Sequence, residues 1–334
     1  MDYVNLGHSG LKVSRACLGA MNFAADPEAR CPEPEAQRII DAVLDAGGNL
    51  IDTANVYGAG QSEEVAGRAI AAKRDEVVLA TKGSGPQGNG PNDRGLSRVH
   101  LTRALEASLT RLRTDYIDLY QCHNWYPDAP IEETMDTLSG FVRAGKVRYV
   151  GCSNYTASSI IESQWAAQRF GGVAYISLQA QYSLIAREIE AEIIPACQRH
   201  GLGILTYSPL ASGILAGRYT RDQHPPADSR IQYWLNFPNP AAADWARAML
   251  TDHSFDIAEE LTNVARELDA TPGAVAIGWL AGQPAVSSVI LGPRTLDQLR
   301  DNLAGFDIDI PTELRERLDT ISAATNRPVT GMLA

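Results

Sequence analysis

Val77-Val78-Leu79-Ala80-Thr81-Lys82 and Tyr116-Ile117-Asp118-Leu119-Tyr120 are short, largely apolar runs, with the longer segment Val99–Arg111 between them. Neither run alternates as a strand with one wet face does, so both read as strands buried on two faces, the habit of parallel sheets. The segment between them sets Leu101, Ala104, Leu105, Ser108 and Leu109 at helical spacing. Outward from this unit the pattern repeats. Further apolar runs lie at Ala16–Leu18, Leu50–Ile51, Val147–Val150, Ile176–Leu178, Gly203–Leu205 and Val286–Leu291, eight in all. Helical patterns at Pro34–Ala46, Ile131–Ala144, Ala157–Phe170, Glu190–His200, Asp256–Leu268 and Leu296–Leu303 separate or follow them. Eight successive strand-then-helix units exceed a typical open doubly wound sheet. They predict an α/β fold, a closed (β/α)8 TIM barrel of about 250 residues plus insertions.

Helix starts are expected at Ser62, followed by Glu63 and Glu64, and at Ser97, while Gly145 and Gly201 stand where helix ends favour glycine. Val4–Leu6 and Leu11–Ser14 read as an N-terminal β-hairpin ahead of the barrel. Ala211 to about Ser254, with Pro225-Pro226, Pro238 and Pro240, reads as one long inserted loop, a lid or binding loop. A helical insert, Pro272–Gly282, precedes the eighth strand. No boundary is visible, so residues 1–334 are expected to form a single barrel domain.

The chain carries 29 Lys and Arg against 40 Asp and Glu, a net charge of −11, which speaks against nucleic acid as a partner. One local basic pocket for a small anion remains compatible with that balance. Cys17, Cys31, Cys122, Cys152 and Cys197 form no C-x-x-C pair, so neither a disulfide framework nor a bound metal is expected. The first residues lack the basic and apolar regions of a secretory signal. The most apolar stretch, Gly273–Gly292, is broken by Gln283 and Pro284, so no membrane span of about 18 residues is expected. A cytoplasmic location fits these features.

Barrel enzymes carry their reacting groups at the C-terminal ends of the strands. Asp52 ends the second strand, Tyr57 follows in its loop, Lys82 ends the third and His123 the fourth. Such a set suits proton donation to a carbonyl. A phenol is a weak acid at neutral pH, and a nearby ammonium favours its phenolate. Asp52 would keep Lys82 charged and oriented, and His123 could hydrogen-bond and polarise the substrate oxygen. Each residue alone reads equally well as a cap, a surface group or a satisfied core group. Four of them converging from successive strands favour a site.

Asp52-Thr53-Ala54, Val56-Tyr57-Gly58 and Ser62-Glu63-Glu64-x-x-Gly67 resemble the aldo-keto reductase superfamily. So do Ala80-Thr81-Lys82, Asp115-Tyr116-Ile117-Asp118-Leu119-Tyr120-x-x-His123 and Gly145-Lys146-Val147-Arg148-Tyr149-Val150-Gly151-x-Ser153-Asn154. The resemblance covers essentially the whole chain in order. It implies a catalytic tetrad of Asp52, Tyr57, Lys82 and His123, with Tyr57 the general acid, and NADPH as cofactor. No G-x-G-x-x-G follows the first strand, in keeping with a cofactor bound extended across the barrel mouth.

By the same resemblance, Ser153, Asn154 and Gln179 would bind the nicotinamide carboxamide, and Tyr207 would stack on the ring. Gly19, Met21 and Asp52 are counted with the cofactor site. Ser208, Pro209, Leu210, Ser212, Gly213 and Leu215 would follow the pyrophosphate, with Gly217 and Arg218 beyond them. Gly292, Arg294, Gln298 and Asn302 resemble the adenosine-phosphate site, where a helix start and a guanidinium suit a 2′-phosphate. Asn22, Tyr57, His123, Trp125, Tyr233 and Trp234 are expected to line the substrate side.

The strand-seven insertion makes the chain similar to the branch holding bacterial sugar-pathway reductases and channel β-subunits. Reduction of an aldehyde or ketone is therefore the expected reaction. The alternatives are a reductase of nucleotide-linked keto or enoyl sugars, and a cofactor-sensing regulatory subunit with slow turnover. The partners expected are a small-molecule carbonyl substrate, no nucleic acid and no membrane, with the chain a monomer or weak homo-oligomer.

Overall fold

The computed structural model describes residues 1–25, 30–221 and 223–323. Eight strands close a barrel: β1 (Ala16–Gly19), β2 (Leu50–Asp52), β3 (Val78–Gly83), β4 (Ile117–Cys122), β5 (Val147–Ser153), β6 (Ser177–Gln181), β7 (Gly203–Tyr207) and β8 (Val286–Leu291). Every neighbouring pair is parallel, and β8 returns to β1. Each apolar run named above forms one of these strands. Several strands run one to three residues further, so that Asp52, Lys82 and Ser153 are the last or nearly last residues in their ladders.

Helices α1 (Glu33–Asp45), α2 (Gln61–Ile70), α3 (Arg98–Leu112), α4 (Ile131–Arg143), α5 (Ala157–Arg169) and α6 (Ile193–His200) fill the first six crossovers. Their apolar stripes bury against the outer face of the barrel, as Ile39, Ile40 and Val43 of α1 do. The barrel interior holds a separate cluster of Leu6, Val13, Cys17, Leu50, Ala80, Leu119, Leu205 and Ile290. Leu6 and Val13 come from the hairpin Tyr3–Asn5 with Lys12–Ser14, whose turn is tied to the start of β7 by His8 N donating to Gly201 O at 2.8 Å. The hairpin therefore plugs the end of the barrel opposite the strand C-termini.

Two expectations need correction. Ser62 caps nothing: α2 starts after Gly60 at φ +97°, and Ser62 Oγ donates to Ala20 O at 2.7 Å, tying α2 to the end of β1. The insertion after β7 is not one loop. It folds into α7 (Arg230–Leu235) and α8 (Pro240–Met249), and the two helices expected after it follow as α9 (Asp252–Glu267) and α10 (Pro272–Ala281). Ser229 and Asn239 cap the first two through their side chains, and the prolines lie outside helix interiors, Pro240 opening α8. Beyond β8 come α11 (Leu296–Ala304) and α12 (Thr312–Ile321), the last not expected from sequence. All five cysteines are buried and free, and no helix among the described residues is long and apolar enough to cross a membrane.

Candidate active site

The tetrad residues meet at the C-terminal mouth. Gly19, Asp52 and Ala80 stand side by side in the β1–β2–β3 ladder, and Lys82 pairs with Gln121 across β3 and β4. Lys82 is fully buried and Asp52 nearly so. The Lys82 ammonium donates to Asp52 Oδ2 at 2.5 Å, to Thr53 O at 2.8 Å and to Tyr57 Oη at 3.3 Å, so all three protons are engaged. The other carboxylate oxygen accepts from Gln179 Nε2 at 2.9 Å and Gln121 Nε2 at 3.1 Å. Both oxygens of the carboxylate are therefore met by donors.

Tyr57 is held by a short irregular turn over 57–60, and its N–H donates to Ala54 O at 3.1 Å. Its ring meets the His123 ring edge-on, with centroids 5.7 Å apart. Burial raises the phenol above its ordinary range, and the Lys82 charge opposes that rise. Burial also works against the Lys82 ammonium, but Asp52 and Tyr57 outweigh it and Lys82 ends above its usual range. Burial, joined by the Lys82 charge, drives His123 down to about 3. The imidazole is therefore neutral, and its buried Nδ1 has no hydrogen-bond partner among the described residues. The arrangement offers a phenol proton donor next to an ammonium, with a neutral imidazole beside it.

Ser153 ends β5, and Asn154 just after it adopts the left-handed region at φ +58°. Its amide donates to His123 O at 3.0 Å and Asn124 Oδ1 at 3.1 Å, and it accepts from Tyr207 Oη at 2.9 Å. This one side chain ties the His123 turn to the end of β7. After Tyr207 the backbone enters the left-handed region at Ser208, Ala211, Ser212, Gly213 and Gly217. Non-glycine residues held there store of order 1 kcal/mol each, a strain that clusters at ligand sites. Leu215 is buried, and Pro209 and Leu210 occupy the same turn.

The adenosine-side candidates lie beyond β8. Thr295 caps α11 through Gln298 N at 3.3 Å, and Gln298 Oε1 accepts from Arg294 N at 2.9 Å. Asn302 is buried on α11 and Gly292 is exposed. Arg294 donates to Asp228 O at 3.2 Å, and Arg218 pairs with the Asp228 carboxylate at 3.2 Å.

On the substrate side, Arg230 donates to Asn22 Oδ1 at 2.9 Å and contacts Met21 Sδ at 3.4 Å. Its guanidinium stands 4.6 Å from the Trp234 ring centroid and 5.1 Å from that of Tyr233. No carboxylate pairs with it among the described residues. Burial, aided by the Arg30 charge, pulls it down to about 10. Trp125 packs edge-on to Tyr155 at 5.2 Å, while Tyr233 is exposed on the lid.

Gln121 and Arg30 were not singled out from the sequence. Gln121 shares a face of β4 with Leu119, which lines the barrel interior, so strand alternation could have placed it. Arg30 carried no signal.

The chain matches the model of the Aldo/keto reductase family over residues 15–323. It is 36% identical to the uncharacterized oxidoreductase YrpG of Bacillus subtilis (strain 168), covering 96% of each chain. It is 38% identical to a probable voltage-gated potassium channel subunit beta of Oryza sativa subsp. japonica, over 97% of this chain and 96% of that one. With Protein tas of Escherichia coli (strain K12) it shares 29% identity over 98% and 99% of the two lengths. On its barrel, its mouth and these matches, the chain belongs to the aldo/keto reductase family.

Proposed function

We propose that this chain is an NADPH-dependent carbonyl reductase whose proton donor is Tyr57. The observation that carries the reading is the Tyr57 hydroxyl 3.3 Å from a buried ammonium that is itself anchored on Asp52. Bound NADPH would supply the hydride. Tyr57 then gives its proton to the developing alkoxide, and Lys82 stabilises the phenolate left behind. Neutral His123 donates a hydrogen bond to the carbonyl oxygen and aligns it with Tyr57. Asp52 keeps Lys82 charged.

The residues present fit a dinucleotide. The strained turn 208–213 presents backbone close to the mouth, and Arg230 is a half-buried cation lacking a protein counter-charge among the described residues. Arg218, Arg230 and Arg294 would hold its phosphates, Ser153, Asn154 and Gln179 its carboxamide, and Tyr207 its ring. Asn22, Trp125, Tyr233 and Trp234 would face the substrate. The working unit is one barrel domain in the cytoplasm, monomeric or weakly self-associated, needing neither nucleic acid nor membrane.

Steady-state NADPH oxidation against aldehydes, ketones and nucleotide-linked keto sugars tests this. Turnover of a simple carbonyl supports it, and turnover of only the sugar nucleotides moves the substrate to that class. The likeness to the probable channel β-subunit keeps one other reading in view, a cofactor-sensing subunit. Tight NADPH binding with no turnover of any carbonyl would favour it.

A further inference from the structure

At the height of the tetrad one row crosses the sheet: Lys82 on β3, Gln121 on β4, Gly151 on β5 and Ser177 on β6. Lys82 and Gln121 both reach Asp52 on β2, one on each carboxylate oxygen. The Gln121 amide has no choice of orientation, because an ionised carboxylate only accepts and must be met by the nitrogen. Its own oxygen is left buried without a partner among the described residues. Leaving a buried acceptor unmade is unfavourable, so the side chain is held where it is by its contact with Asp52. Gly151 packs against this row without a side chain. A Cβ there would stand 3.3 Å from Gln121 Cγ and 2.5 Å from Ser177 Oγ.

Gln179 also donates to Asp52, but on the function proposed here its amide has a second duty toward the nicotinamide. Gln121 faces the barrel interior and is fully buried, so it is the donor that stays. We infer that Gln121 is a positioning residue: by holding Asp52 from inside the barrel it keeps the Lys82 ammonium shared with Tyr57 and so sets the proton affinity of the phenol. The inference rests on Tyr57 being the proton donor. The charged and titratable groups facing Tyr57 are Lys82 on β3, Asp52 on β2, His123 after β4 and Arg230 on α7. Of these, Gln121 hydrogen-bonds only Asp52.

The sign follows from the geometry. Without the amide, the Asp52 carboxylate pulls harder on Lys82. The ammonium then gives less to the phenolate, and the phenol releases its proton at higher pH.

Gln121→Met keeps length and removes the donor. Tyr57 is titrated without turnover, by ultraviolet difference against Tyr57→Phe in each background. The midpoint should rise by about half a pH unit or more. The kcat at neutral pH should fall about twofold to threefold, in line with an acid weaker by about half a pH unit, while KM and the NADPH dissociation constant hold. Gly151→Ala, whose methyl would press on Ser177 Oγ first and more lightly on Gln121 Cγ, should raise the same midpoint by a smaller amount with residue 121 unaltered. A midpoint that stays put in both variants overturns the inference. So does a loss of NADPH binding that accounts for all the lost activity. If the wild-type protein turns over no carbonyl, the reading of the function fails, while the titration still decides the part played by Gln121.

Discussion

The Lys82 ammonium lies 3.3 Å from the Tyr57 phenol oxygen and, at the same time, on Asp52. The Tyr57 proton thus sits in a field made by one fully buried cation and one nearly buried anion.

Tyr57→Phe removes that hydroxyl and keeps the ring against His123. Fold and NADPH affinity should survive, and carbonyl reduction should fall about a hundredfold or more. Single-turnover and steady-state rates on one good aldehyde would measure it. A variant within a few-fold of wild type would remove Tyr57 from the mechanism.

His123 supplies a pH test. Burial holds it at about 3 when folded, below its unfolded value near 6.5, so it stays neutral through the working range. The kcat profile should therefore show no step near pH 6.5. The folded state binds this proton less readily than the unfolded chain. Its share of stability is complete above pH 6.5 and is lost as pH falls toward 3, at about 1.4 kcal/mol for each step of one in pH. Melting temperatures of wild type and His123→Gln, taken from pH 7 down to 4, should converge or cross as pH falls. Parallel curves would show that His123 does not titrate as a buried neutral group.

The eight strands were legible because a parallel barrel buries both faces, and runs such as Val286–Leu291 leave no polar alternation. The convergence of Asp52, Lys82 and His123 was legible because they stand at or just past strand ends, with Tyr57 in the loop five residues beyond Asp52. The lid was not. Helix α7 has only six residues, too few to show a stripe, and it is held by the packing of Trp234 against Phe237 and Trp245. Helix α12 is highly charged, with only Leu314 and Leu318 buried along one line. Gln121 and Arg230 take their meaning from partners far away in sequence, Asp52 and Asn22.

Lys82→Met tests the buried pair by stability as well as rate. Removing one partner strands the Asp52 charge with only Gln121 and Gln179 as donors, and breaking such a pair costs about 3–5 kcal/mol. Denaturant unfolding should show that loss, and reduction should fall along with it. Adding Asp52→Asn should recover much of the stability but none of the activity. A single variant as stable as wild type would mean that Asp52 takes up a proton when Lys82 is gone.

The choice of dinucleotide tests the basic groups of the mouth. NADPH and NADH differ by one 2′-phosphate, so discrimination must come from the groups that touch it. Arg294 stands at the start of α11, beside Gln298, and Arg218 reaches the same place through Asp228. Arg230 lies deeper, against Asn22 and Met21, within the electrostatic reach of Tyr57. A charge-assisted arginine–phosphate contact is worth about 1.5–3 kcal/mol, or roughly tenfold to a hundredfold in affinity. Arg294→Ala should weaken NADPH by about that factor and barely change NADH. Arg218→Ala should do the same less strongly, because its pairing with Asp228 is exposed and screened. Arg230→Leu should weaken both dinucleotides together, since its depth suits the shared pyrophosphate. Fluorescence quenching gives both dissociation constants for each variant. Equal losses of NADPH and NADH in Arg294→Ala would assign that arginine to the pyrophosphate, and a selective loss in Arg230→Leu would move the 2′-phosphate to the lid.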